Sequence, residues 1–229
     1  MAIVVISLGG SLVNPGKPDI HYIQSFCRVL RLTQHNFAIV VGGGKLARVY
    51  AQKAREKGAN EFEADVAAIE ATKKNAKSVI DALKNQAPGK VYPKVCDSFH
   101  EAKKALQKYR FVLMGGTIPG ITTDSDTVLL AECVHSSRVL NLSNVDAVYS
   151  ANPHENPNAK KYKTMTYQQL IELAGNNDQR VAGTHFVFDF LACKLIARSK
   201  IETHFVHGKN LLDVKKAIEG RLHGGTVIK

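Results

Sequence analysis

The chain has 229 residues, 45% of them hydrophobic and 22% charged, with a formal net charge of +11. This is the composition of an ordinary globular protein, long enough for one large α/β domain or two small ones. Segment 2–8 is too short and too plain at its flanks to be a membrane span or a signal peptide, so the expected location is the cytoplasm. Four dispersed cysteines without a C-x-x-C pair, and nine histidines without metal-ligand spacing, argue against disulfide, zinc and other transition-metal frameworks.

In chain order, Val- and Ile-rich runs predict strands at 2–8, 37–41, 110–114, 137–142 and 202–206. Apolar residues at three- and four-residue spacing predict helices at 19–33, 45–57, 63–86, 98–108, 124–136, 166–174, 187–199 and 211–219. Asp19 after Pro18, and Thr123 before "DSDTVLLAE", suit helix starts. The alternation predicts crossover units on a mostly parallel sheet covered by helices on both faces. Residues 150–164 read as a long surface loop, a length often kept for function.

Three of the strands run into glycines: "IVVISLGGSL", "FAIVVGGGKLAR" and "RFVLMGGTIPG". In a parallel sheet, ligands bind beyond the carboxyl ends of the strands. Glycines there let backbone N–H groups approach an anion, and a following helix adds its positive end. Two of the corners lead quickly into a helix, whereas "GGSL" is followed by Pro15 and Gly16 and does so less cleanly. Gly42, Gly44 and Ala47 make a weak G-x-G-x-x-A match, but the segment that follows is helical and lacks the expected acid-ended strand. A Walker A loop would need glycine at Ile39 and a hydroxyl at Leu46. Any one glycine pair could be a plain turn; three after similar strands point to a row of phosphates. The net charge reads mainly as solvated helix faces that also favour capture of an anionic substrate. No basic run interleaved with aromatics suggests nucleic acid.

The ordered motifs "SLGGSL", "VVGGGKLAR", "MGGTIPGITTDSDTVLLAE", "NLSNVDAVYSANPHENPNAKK" and "VFDFLACKLIARS" resemble the amino acid kinase family, and within it the archaeal-type UMP kinase branch, over nearly the whole chain. The resemblance implies a three-layer αβα sandwich around a mostly parallel sheet. An acceptor-binding part would cover about 1–138 and an ATP-binding part 139–229. The implied reaction makes UDP from UMP and ATP, with Mg²⁺ carried by ATP, in a homo-oligomer, commonly a hexamer. Gly9, Gly10 and Ser11 would follow the ATP phosphates, Gly43 the UMP phosphate and Gly44 the transferring group. Arg48 would reach phosphate oxygens and Asp65 the UMP ribose. Gly116, Thr117, Ile118, Pro119, Gly120, Ile121, Thr122 and Thr123 would wrap the uracil and the phosphate path. Ser143, Tyr149 and Asn152 would lie along ATP, and Lys194 would set its ammonium against the phosphates. Asp124 and Asp189 would orient the lysines or the substrate's magnesium.

The chemistry asks for little more, because the acceptor is a phosphate oxygen already ionised at neutral pH. Bare amides with Arg48, Lys45 and Lys194 are a sufficient set for aligning and neutralising the transferring group. The sequence departs from the pattern at Ser7, where many relatives carry lysine, at Asn152 in place of aspartate, at Ala147, and at His185, Phe188 and Phe190 before Lys194. Plainer roles stand beside these: Asp124, Ser125 and Asp126 as helix-capping residues, Tyr149 as core, His185 as a loop residue and Lys194 as a solvent-facing lysine. Ala192, Cys193, Leu195 and Ile196 make the helix around Lys194 look mostly buried, so its ammonium would seek an anion. Two other readings stay open: a non-catalytic nucleotide-sensing or RNA-binding regulator on the same fold, and a family enzyme with another small acceptor.

Overall fold

The structure, a computed structural model, describes residues 2–151, 156–176 and 188–229. The elements in chain order are β1 (Ile3–Leu8), α1 (Gly10–Val13), α2 (Ile20–Leu32), β2 (Asn36–Val41), α3 (Gly44–Glu56), α4 (Glu61–Gln86), α5 (Phe99–Ala105) and β3 (Phe111–Met114). There follow α6 (Thr123–Cys133), β4 (Arg138–Ser143), β5 (Thr164–Met165), α7 (Tyr167–Asn176), α8 (Phe190–Ser199), β6 (Glu202–His207), α9 (Leu211–Ile218) and β7 (Thr226–Ile228).

The described strands form one sheet in the order β3-β2-β1-β4-β6-β7-β5. β1 pairs in parallel with β2 and β4, β2 with β3, and β4 with β6. β7 runs antiparallel to β6 and carries β5 parallel to itself. The chain winds outward from β1 through β2 to β3, then returns to place β4 on the other side of β1. This reversal is the switch point at which open α/β sheets bind ligands.

Strand alternation sorts the core into two layers. Val4, Ile6 and Leu8 of β1 join Phe37, Ile39 and Val41 of β2 beneath α2, α4 and α9. Val5, Ala38, Val40, Val112 and Val139 point the other way, toward α5, α6, α7 and α8. The result is the three-layer sandwich expected from the alternating pattern. Asp19 starts α2 by accepting the Tyr22 N–H at 2.9 Å. Asn60 and Glu63 close a reciprocal capping box on α4. All four cysteines are free thiols, with Cys27, Cys96 and Cys193 buried.

Three features depart from the sequence reading. α1 begins directly at Gly10, so the first corner turns into a helix as fast as the second despite Pro15 and Gly16. β5 and β7 are two and three residues long, too short for their periodicity to register. The helix around Lys194 starts at Phe190. No helix among the described residues is long and apolar enough to cross a membrane.

Candidate active site

Because β1, β2, β3 and β4 are parallel, their carboxyl ends share one rim, and the glycine corners meet there. Gly9 donates its N–H to Leu142 O at 2.8 Å, tying the β1 corner to the end of β4. Gly42 donates to Leu8 O at 2.9 Å, tying the β2 corner to β1. A Cβ on Gly10 would lie 2.3 Å from Gly44 N and 2.4 Å from Gly42 O. Gly44 adopts φ +57°, and a Cβ there would sit 2.5 Å from the Gly10 carbonyl carbon. The two corners therefore lie backbone against backbone, and a side chain at either position would force them apart. The sequence suggested glycines that face a ligand; the structure adds that they must first face each other.

The second corner opens α3, whose amino end is unusual for this chain. α4, α5, α6 and α9 each carry an acidic residue in the first turn and a side-chain cap. α3 has neither, and Lys45 occupies that turn instead. A positive helix end joined to a lysine is poorly matched until an anion arrives. Arg48 follows Gly44 by four residues, on the same helix face. Lys45 and Arg48 are exposed and make no ion pair among the described residues. The Lys45 ammonium instead stands beside Gly16 of the α1–α2 loop.

The third corner closes the rim. Thr122 is the cap of α6, accepting from the N–H groups of Asp124 and Ser125 at 3.2 Å each. Thr123 Oγ1 would lie 3.6 Å from a Cβ on Gly42, so α6 starts beside the second corner. Thr117 donates its N–H to Asp126 Oδ2 at 3.1 Å and its hydroxyl to Oδ1 at 2.5 Å. Gly120 donates to Asp65 Oδ2 at 2.9 Å, which links α4 to the loop holding Gly116, Ile118, Pro119 and Ile121. Ile118 is more than half exposed there.

Ser7 and Asp124 meet on the floor of this rim. Ser7 is 4% exposed and donates to Asp124 Oδ1 at 2.8 Å, and Asn141 donates to the same oxygen at 3.4 Å. Burial pushes the Asp124 carboxyl up to about 7; the Ser7 hydrogen bond opposes this and nearby Asp189 adds to it. Burial likewise raises Asp126 to about 6, against the hydrogen bonds from Thr117. Asp189 caps α8 by accepting from Ala192 N at 3.1 Å, and it also accepts from Thr122 Oγ1 and Ser125 Oγ. These three carboxylates are answered by hydroxyls and amides, and none forms an ion pair among the described residues. Among the described residues, no group of three or more His, Cys, Asp or Glu side chains could hold a metal ion.

On the β4 side, Ser143 bonds the N–H and carbonyl of Val145 through its hydroxyl. Asn144 donates to Ser11 Oγ at 3.1 Å, joining this segment to the first corner. Tyr149 is half-buried and donates to Asp146, which Lys161 holds at 2.6 Å. Lys194 differs from the buried setting inferred for it: it is exposed, its ammonium 4.6 Å from the centre of the Phe190 ring. Asn152 and His185 lie outside the described residues. Thr72 and Asn75 on α4, and Asn14 just after α1, were not singled out from sequence, yet all three bond within this region.

The chain is similar to known proteins along nearly its whole length. The chain is 40% identical to the uridylate kinase of Pyrococcus abyssi over 226 residues, spanning 98% of each. It is 41% identical to the uridylate kinase of Archaeoglobus fulgidus over 227 residues. The crystal structure of that protein matches with a TM-score of 0.86 over 99% of both chains. The UMP kinase of Bacillus anthracis, at 22% identity, shares the fold with a TM-score of 0.81 over 99% of this chain and 95% of its own. A model of the amino acid kinase family matches residues 2–207. The chain belongs to the amino acid kinase family.

Proposed function

We propose that this protein transfers the γ-phosphoryl group of ATP to UMP, making UDP for pyrimidine nucleotide synthesis. The observation that carries the reading is the contact between the Gly9–Gly10 and Gly42–Gly44 corners, with the uncapped start of α3 and two uncommitted cations beside them. The names of the full-length relatives supply the substrate.

The acceptor half (about 1–138) holds UMP and the donor half (139–229) holds ATP, end to end across the switch point. The amides of Gly43 and Gly44 receive the acceptor and transferring phosphates. Arg48 and Lys45 bring positive charge to the oxygens on which charge accumulates, the dominant need in phosphoryl transfer. Asp65 and the 116–123 segment hold the nucleoside of UMP. Gly9, Gly10, Ser11, Ser143, Tyr149 and Asn152 follow ATP, and Lys194 swings from the Phe190 ring toward the phosphates. No strong general base is required, because the attacking oxygen is already ionised. Magnesium arrives on ATP as part of the substrate; Asp124 and Asp189, which lack cationic partners among the described residues, suit a cation-bearing ligand. The expected setting is the cytoplasm, with the chain assembled as a hexamer.

Phosphate transfer from ATP–Mg²⁺ to a panel of nucleoside monophosphates tests this. UMP is expected to be the best acceptor. Turnover of a different acceptor with UMP inert overturns the substrate, and tight, salt-steep RNA binding without turnover overturns catalysis itself.

A further inference from the structure

One helix fixes the position of all three corners through buried polar side chains. Asn75 of α4 is 2% exposed, and its Nδ2 donates to Gly42 O at 2.9 Å and to Gly43 O at 3.1 Å. Both hydrogens of that amide are therefore spent on consecutive carbonyls of the second corner. Its Oδ1 accepts from Asn14 Nδ2 at 3.2 Å, and Asn14 is the residue that ends α1. The Asn14 bond decides which way the Asn75 amide faces. One turn earlier, Thr72 Oγ1 accepts the Gly116 N–H at 2.7 Å and donates to Ile69 O at 2.6 Å.

A trans peptide is planar, and its C=O and N–H point in opposite directions. Holding the Gly42 carbonyl toward α4 turns the Gly43 N–H away from α4. Holding the Gly43 carbonyl does the same for the Gly44 N–H. Two successive amides are thus aimed by a side chain that never reaches the ligand. Gly43 O also takes the Ala47 N–H at 3.2 Å, so the α3 ladder and Asn75 share one acceptor.

We propose that Asn75, oriented by Asn14 and seconded by Thr72, is a positioning residue that aims the Gly43 and Gly44 amides at the transferring phosphate and sets the spacing between corners. This rests on the kinase reading above for its substrate, though not for its geometry. In Asn75→Asp, a carboxylate faces two carbonyl oxygens and drives the peptides to turn. In Asn75→Ala, the carbonyls lose both donors; this variant serves where Asn75→Asp does not fold. A small misplacement of reacting groups costs up to about 100-fold in rate, so kcat/KM for UMP is expected to fall roughly 10- to 100-fold in either variant. The fall should be shared between a lower kcat and a higher KM for UMP, whereas loss of folded protein alone would lower kcat and leave KM in place. Thr72→Val should show a smaller loss that Thr72→Ser restores. Independently of turnover, the Gly43 and Gly44 amide signals in 1H–15N NMR spectra should shift when inorganic pyrophosphate is added to the wild type, and shift far less in Asn75→Ala. If wild-type protein does not phosphorylate UMP, the kinase reading fails and this titration still decides the positioning role. Unchanged kcat and KM in folded Asn75 variants, or wild-type Gly43 and Gly44 signals indifferent to pyrophosphate, would overturn it.

Discussion

The two ends of the sheet treat their cations in opposite ways. At the amino ends of the strands, two arginines are engaged inside the chain. Arg110, just before β3, donates to His35 O at 2.9 Å, Leu30 O at 3.1 Å, Arg31 O at 3.4 Å and also to Thr33 O, closing the carboxyl end of α2. Arg138, the first residue of β4, bonds Glu202 at 3.0 Å and Ile218 O at 3.1 Å. Glu202 in turn holds His204 at 2.9 Å, and His204 meets His223 at 2.8 Å. At the carboxyl ends, Lys45 and Arg48 have no such partners among the described residues, while three carboxylates rely on hydroxyls and amides. Networks whose polar groups are matched inside the chain serve the fold. Under the proposed function, the groups left unmatched at the rim of glycines are the ones that meet a ligand.

This contrast can be broken most decisively at Arg48. Arg48→Ala should lose about 2–4 kcal/mol of transition-state stabilisation, read as kcat/KM with UMP and ATP, at an almost unchanged melting temperature. Parallel losses of activity and melting temperature would mean that Arg48 is structural after all. Arg110→Ala should do the reverse, costing about 1–3 kcal/mol of stability in a urea titration because buried carbonyls lose their donor, with kcat intact in the folded fraction.

Two pH dependences sharpen the comparison with smaller effects. The Asp124 carboxyl ionises near 3.8 in the unfolded chain and about 7 in the fold. Between those values the native state binds more protons, so this group's contribution to stability falls as pH rises and levels off above 7. Asp124→Asn should therefore raise the melting temperature more at pH 8 than at pH 5; an equal change at both would place a cation against Asp124. At the other end, burial holds His204 down to about 4 from its ordinary 6.5. Its contribution is whole above 6.5 and is lost as pH falls toward 4, because the unfolded chain takes up the proton first. His204→Gln should flatten the acid limb of stability measured by calorimetry, and an unchanged limb would remove the histidine pair from that response.

Much of the fold was legible because long, Val-rich strands and amphipathic helices carry strong periodic signals, and the order of glycine corners implied a common rim. β5 and β7 were not, since two- and three-residue pairings depend on partners far along the chain. The rim glycines were read as facing a ligand, whereas the close approach between corners that Gly10 and Gly44 allow is something no local pattern encodes. Asn75 escaped notice because an asparagine on a long helix resembles any solvent-facing position until its burial is known. Lys194 misled in the other direction. Its apolar neighbours occupy the inner face of α8 while its own position faces out, a distinction that rests on which side meets the sheet.

The placement of β7 has a consequence for how the chain completes itself. Thr226–Ile228 lie between β6 and β5, so the short strand at 164–165 has no neighbour to join until residues more than sixty positions downstream arrive. Every other strand after β1 joins a neighbour that precedes it in the chain, but this margin waits for a partner far downstream, and contacts so distant in sequence form slowly. The β7–β5 border is therefore the last part of the sheet to be sealed, and losing residues 226–228 would strip away two strands at once.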